Sequence, residues 1–472
     1  MNGFALDRGH PGSPWLGRIS FSLASLALIC AVGALVVWMP LAAFALVGAS
    51  MLAAVLTLVA RVPVAVTLVF ATLGLVALVD LPRELKIGST TSYALVTLAL
   101  VVPLVAVSMS RYVLSAVRGT GLLFLPLYAF AGWALVSVLW FGPATEGAQN
   151  ILAYAAFAAL VPVTAAAIIH GDLRLTRARA AMTCAFVVAS ALYVGSLALG
   201  GLGGSDVLGA RSYALVGVLG VAWGAGHMRM GYRRFGLLAA VSWLLILLSL
   251  SRLAFAAAIL VLALVSLDLR TTGRFVRSAV LIGVVSVVAY FSVTSFGPMA
   301  ERFAKGDVKS IGGVTVNVEG RNEIWSVTWE SYLESPLVGR GAGSAAEMLD
   351  ATMDDADHPH NDYLRVLHDL GVIGVALLVA ALLTLLHRVL QHTRLARRNT
   401  ESAAVHLSAF LGLLALMVEM TTDNAIVYLF VVGPVAVALG LSIGTAVRER
   451  RLAARPALNA APELDVRRTV TA

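Results

Sequence analysis

Charge is what this 472-residue chain has least of. Asp, Glu, Lys and Arg together make up 13% of it, where a soluble domain carries about 25%. With a mean hydropathy of +0.89, that deficit excludes an ordinary soluble globule and marks an integral membrane protein. Cysteine is nearly missing as well. Cys30 and Cys184 both fall inside apolar segments, where a thiol is read as a small packing residue, and two of them define no disulfide framework. Equally absent are the soluble-type signatures of catalysis. There is no GxSxG, no phosphate-binding loop and no GxGxxG followed by a helix. No fixed-period repeat is visible either.

What the chain does have is a series of apolar runs, too long and too many for a soluble core. Fourteen candidate spans are predicted at about 20–39, 41–60, 62–79, 93–109, 121–140, 150–169, 180–199, 213–228, 235–250, 253–267, 277–296, 364–386, 403–420 and 425–447. Merging or splitting at Pro40, Arg61–Pro63 or Ser251–Arg252 changes the total by two. The first run has no small-residue cleavage site after it and reads as a retained helix, not a signal peptide. The expected fold is an all-α, polytopic bundle of about 12–14 spans, with residues 1–19 and a polar tail, 448–472, on the cytoplasmic side. The tail after Arg455 contains proline and is expected to be disordered.

The net charge is +8 with a pI near 9.8. In a soluble protein this would raise the question of nucleic acid, but here the arginines sit in short loops between apolar runs and report topology. With the N-terminus inside, 24 of the 34 basic residues fall in cytoplasmic segments. That asymmetry predicts both termini inside, with the one long polar stretch, 297–361, outside as an external loop.

This stretch concentrates the residues capable of chemistry. In GRNEIWSVTWESYLESP, positions 321, 325, 328, 329 and 332 recur at helical spacing, placing Arg321, Trp325, Trp329 and Tyr332 on roughly one face. Such a helix can lie at the interface with its aromatics as a belt, and the same rings can stack on sugars. The run stops before Pro336, and GRGAG supplies a turn. In HPHNDYLRVLHDLGVIGV, Pro359 keeps His358–His360 extended. Asn361 or Asp362 can cap the following helix, and Gly371 and Gly374 allow close helix packing. Asp354, Asp357, His358 and His360 have metal-ligand chemistry, but their spacing matches no metal motif and no metal site is expected.

Two further arginines stand apart from the cytoplasmic clusters. Arg252, in SLSRLAF, sits between two short apolar runs. An arginine at membrane depth costs about 2.5–3.5 kcal/mol on the insertion scale, so it has a partner or a task. Headgroup phosphates and an internal anion both fit. Arg211 follows the glycine-rich GGLGGSDVLGA and could meet a lipid headgroup or a substrate. In TTDNAIVYL, Asp423 and Asn424 form an outside turn that could touch an acceptor but reads first as a plain interhelical turn. Glu419 is the obvious carboxylate near a span interior.

Together, GRxxxW, PxxGxG and PHNxxL in this order, with SLSR about seventy residues upstream of Arg321, resemble the O-antigen ligase / O-antigen polymerase superfamily over roughly 237–386. The resemblance implies a metal-independent, inverting glycosyltransferase without cofactors. It implies a donor glycan on an undecaprenyl diphosphate carrier, and as acceptor a sugar hydroxyl on another lipid-linked glycan or a lipid A core. Membrane lipids and other polysaccharide assembly proteins are the expected partners, nucleic acid is not. The carry-over makes Arg252 and Arg321 diphosphate contacts and puts His360 near the acceptor. Arg211, Trp325, Trp329, Tyr332 and Asn361 are the expected substrate-binding residues. A secondary transporter of a small anion or solute and a non-catalytic envelope scaffold are the competing readings.

Overall fold

In the computed structural model, the described residues are 86–87, 90–91, 101–102, 104–118, 120–141, 146–204, 207–267, 272–304, 308–311, 314–317, 321–353, 358–396 and 400–459. They all belong to one compact unit, Ala54–Ala472. The predicted spans 20–39, 41–60 and 62–79, most of 93–109, Cys30, Asp354 and Asp357 lie outside them.

The other ten predicted spans are helices. The first seven of the ten are α2 (Gly121–Phe141), α3 (Gly147–His170), α4 (Leu175–Gly200), α5 (Ala210–Arg229), α6 (Phe235–Leu248), α7 (Arg252–Ser266) and α8 (Thr272–Ser295), and the short α1 (Arg111–Ala116) before them lies between predicted spans. After these come α9 (Gly297–Ala304), a hairpin of β1 (Val308–Ile311) and β2 (Val314–Asn317), α10 (Arg321–Tyr332) and α11 (Ser344–Thr352). The chain ends with α12 (Asp362–Leu395), α13 (Glu401–Glu419), a 3-10 turn (Ala425–Val427) and α14 (Leu429–Asn459). Seven of the described helices are long and apolar enough to cross a membrane, as α1 itself is not. The result is a multi-pass helical bundle.

Several details differ from the sequence reading. The polar stretch holds a β-hairpin as well as short helices, because VKSI and VTVN flank Gly312–Gly313, a pair suited to a two-residue hairpin turn. The last helix runs on to Asn459, past Arg455. Cys184 is exposed on α4, because that helix lies at the margin of the bundle with two thirds of its apolar window unburied. Arg365 is 1% exposed and ion-paired with Asp362 inside the core.

Small residues set the helix spacing. A Cβ at Gly217 would come within 2.8 Å of Ile246, one at Gly220 within 2.7 Å of Ser242 Oγ, and one at Gly224 within 2.7 Å of the Ala239 nitrogen. These contacts run in opposite directions along α5 and α6, so the two helices are antiparallel, and the turn from α6 into α7 returns to the Arg211 end. Gly226 packs on Ser408 in the same way, while Arg211 meets Asp423 fifteen residues away on each helix. α13 therefore also runs antiparallel to α5.

Gly371 does more than permit packing. At φ +66° it breaks α12 into two helical pieces, and the loop before α11 docks into the break. Val372 N–H donates to Pro336 O at 2.9 Å, Arg340 N–H to His368 O at 3.0 Å and Gly341 N–H to Asp369 O at 2.8 Å. The Asp369 carboxylate caps α11, accepting from Gly343 N–H and Ala345 N–H at 2.8 Å each and from Ser344 Oγ at 3.1 Å. A Cβ on Gly371 would collide with Leu337 O. The left-handed backbone alone costs a non-glycine residue about 1–3 kcal/mol, so Gly371→Ala is expected to lower the thermal unfolding midpoint of the detergent-purified protein by more than Gly374→Ala does.

Candidate functional site

The centre of the polar end is Arg211, on the first turn of α5. Its guanidinium grips Asp423 with two nitrogens. Nε donates to Oδ1 and Oδ2 at 3.2 and 3.0 Å, and Nη2 donates to Oδ1 at 2.6 Å. The same Nη2 reaches His360 Nδ1 at 2.8 Å. One side chain thus joins residues 149 and 212 positions away in sequence. Asp423 is mostly buried, and its backbone is held because its N–H donates to Glu419 O and its carboxylate accepts from Asn424 N–H.

His360 is held on both sides. Trp325 Nε1 donates to Pro359 O at 2.8 Å, tying the HPH turn to α10. On the other side Asn361 caps α12, accepting from Leu364 N–H at 3.1 Å. Asp362 N–H donates to Met420 O at 2.8 Å, and the Asp362 carboxylate accepts from Ile426 N–H at 2.7 Å. The His360 backbone sits at φ +50°, a region bulky residues rarely occupy. Leu250, at φ +61°, is the other non-glycine in that region among the described residues. It lies two residues before Arg252, so one strained position is a predicted site residue and the other stands close to one.

Burial and the positive charge of Arg211, Arg321 and His358 hold the His360 imidazole down to about 4 from its ordinary 6.5, with Asp423 opposing them. Arg321, half-buried at the first position of α10, is thereby within electrostatic range of the ring. His358 stands with Nδ1 3.3 Å from Glu146 Oε2 and its ring 6.3 Å from that of His360.

The predicted residues take the following places. Arg211, Arg321 and His360 come together, with Asn361 as the cap beside them. Arg252 is half-buried at the start of α7, at the same end of the bundle by the α5–α6 ladder. Trp325 and Tyr332 turn inward, the latter 8% exposed, while Trp329 is 48% exposed with its ring 5.1 Å from Tyr332. Asp423 was passed over as a plain turn residue, and the pairing that gives it a role is invisible along the chain.

A multi-pass helical protein with a cluster of arginines, a histidine and a carboxylate at one end of its bundle is the class these features define. A family model described as O-antigen ligase matches residues 237–379, a segment that runs from α6 through the α12 break and contains Arg252, Arg321 and His360. That match supports the resemblance to the O-antigen ligase / O-antigen polymerase superfamily over this segment. No curated protein matches it.

The depressed His360 has a consequence for stability. The folded ring takes its proton near pH 4 and the unfolded ring near 6.5, so between these values the unfolded state binds more protons and stability falls as pH drops. The unfolding midpoint of the wild type is expected to fall relative to that of His360→Gln as pH goes from 7 to 4. A constant difference between the two would contradict this environment.

Proposed function

We propose that this protein is a membrane glycosyltransferase that moves a glycan from an undecaprenyl-diphosphate carrier to a sugar hydroxyl, on another glycan chain or on a lipid A core. The observation that carries the reading is the grouping of Arg211, Arg321, His360 and Asp423, contributed by four separate segments, at the end of the bundle where α7 begins with Arg252. Guanidinium is permanently charged and binds phosphate oxygens as a fork. Several such groups facing a diphosphate would stabilise the charge that grows on it as the glycosidic bond breaks. The reaction needs no divalent cation in this reading, because the arginines supply the positive charge. Direct attack by the hydroxyl on the anomeric carbon would invert its configuration. His360 stands at the reacting centre, as a base or as a group that orients a reactant. Exposed Trp329 offers a ring face for a sugar.

The site belongs to an external loop in this proposal, at the face of the plasma membrane where lipid-linked glycans are assembled into surface polysaccharide. A transporter would be expected to keep carboxylates available at mid-membrane. Here Asp362 is committed to Arg365 and Asp369 to the α11 cap. Glu419 is left as a fully buried carboxyl with no hydrogen-bond partner among the described residues, and one such group supports an alternating pathway less well than the clustered cations support transfer.

Arg252→Ala, Arg321→Ala and His360→Ala should each lower glycan transfer by about 100-fold or more, the range for losing one charge-stabilising donor, at unchanged protein levels in the membrane. Full activity in all three would remove the site. In a deletion strain, free polymer beside unmodified lipid A core would identify a ligase, and single repeat units in place of long chains a polymerase.

A further inference from the structure

The contact between Arg211 and His360 fixes where the imidazole carries its proton. A guanidinium has N–H donors and no acceptor, so in the 2.8 Å contact of Arg211 Nη2 with His360 Nδ1 the ring nitrogen must accept. Nδ1 is therefore unprotonated, and the neutral ring bears its hydrogen on Nε2. The charged neighbours keep it there. Arg211 from α5, Arg321 from α10 and His358 from the same turn all disfavour a second proton on the ring, and Asp423, from the turn after α13, is the one that favours it. Asp423 is itself occupied by three contacts from Arg211. The ring cannot readily be re-presented, since Trp325 holds the peptide before it and the Asn361 cap and Asp362 hold the chain after it.

A general base needs an unshared nitrogen lone pair facing the hydroxyl it deprotonates. In His360 that lone pair faces Arg211, and the other nitrogen offers an N–H. We propose that His360 is a hydrogen-bond donor to the diphosphate, through Nε2–H, and forms one anion-binding set with Arg211 and Arg321 in place of serving as the base. This rests on the transferase reading of the site and moves His360 from the acceptor side of the reaction to the donor side. An N–H set among guanidiniums is the donor array that an oxygen-rich anion accepts from. No bond to His360 forms or breaks: the acceptor oxygen bonds the anomeric carbon, the diphosphate leaves with the electron pair of the broken C–O bond, and the hydroxyl's proton passes to solvent water. The role also gives the strained backbone at His360 a purpose: it directs one ring nitrogen to Arg211 and leaves the other for the ligand.

The test uses the full-length protein in detergent micelles, with farnesyl diphosphate as the probe and farnesol as the control for the lipid tail. Binding is followed by tryptophan fluorescence, and transfer is assayed in parallel. Gln at position 360 keeps an N–H but has no basic nitrogen, whereas Phe keeps neither. His360→Gln is expected to bind farnesyl diphosphate within about threefold of wild type, and His360→Phe to bind it about tenfold or more weakly, the value of one hydrogen bond to a charged group. Transfer should follow the same order, with His360→Gln above a tenth of wild type. If His360→Phe binds the probe as tightly as wild type while His360→Gln loses transfer by the 10²–10⁴-fold typical of a missing base, the proposal is overturned. Nitrogen-15 shifts of labelled histidine, with the His360 signal assigned by its loss in His360→Gln, give a readout on the unmutated protein. An unprotonated Nδ1 and a protonated Nε2 are expected, and the opposite tautomer would overturn the proposal even if His360→Phe fails to fold. A wild type that binds farnesyl diphosphate no better than farnesol would instead sink the lipid-diphosphate reading, a separate failure from that of the His360 assignment.

Discussion

The bridge that Arg211 makes between Asp423 and His360 is the contact on which the polar end of the molecule depends. Its Coulombic value is modest, because the Arg211 side chain is 47% exposed and solvent screens such pairs. Its value is geometric. A planar fork held by both carboxylate oxygens leaves Nη2 one direction, and that direction points at the imidazole. Each partner is in turn anchored by backbone bonds from a different helix end. The turn after α13 positions Asp423, while α10 and the start of α12 position His360. The guanidinium therefore registers three parts of the chain against one another at the place where the helices end.

Below that contact, the chain uses its few charged residues to replace hydrogen bonds that an apolar environment cannot provide. An unsatisfied backbone group in lipid costs several kcal/mol, and the breaks around α11 and α12 expose many. Asp369 satisfies the first N–H groups of α11. Asp362 satisfies Ile426 N–H while pairing with Arg365, whose charge would otherwise be stranded at 1% exposure. Gly339 and Gly371 let two backbones approach where a Cβ on either would meet the other segment. The segment from Pro336 to Ala345 is thus fastened to the bundle through α12. That is how residues as distant as Trp325 and Pro359 come to hold a histidine between them.

Much of this was legible in the sequence, and the parts that were not share a cause. Periodic apolar runs announced ten described helices, with most ends within about five residues, although α12 and α14 run nine and twelve residues past the predicted ends. The spacing of Arg321, Trp325 and Tyr332 announced α10, and Pro336 with GRGAG announced its end. Asn361 was readable as a cap because capping is local. Asp423, by contrast, acts on Arg211 from 212 positions away, and nothing near TTDNAIVYL records that distance. Gly371 read as a packing glycine, since its positive φ is imposed by the loop that docks on it. Arg211, the weakest of the arginine candidates by sequence, turned out to be central for the same reason. The VKSIGGVTVN hairpin did carry a local signal, a Gly-Gly pair between runs that contain β-branched residues, inside the polar stretch. Trp329 shared a helical face with Trp325 on paper, but the face that packs is centred on Ile324, Thr328 and Tyr332, which leaves Trp329 outward.

The central claim is that guanidiniums and an imidazole brought together from distant segments hold a diphosphate. It is tested most directly by an experimental structure of the protein with undecaprenyl diphosphate bound. The account predicts phosphate oxygens within about 2.7–3.2 Å of the side-chain nitrogens of Arg211, Arg321 and His360, the range of direct hydrogen bonds, with Arg252 lining the same hollow. A diphosphate bound at another part of the bundle, with the Arg211–His360–Asp423 contacts unchanged and empty, would contradict it.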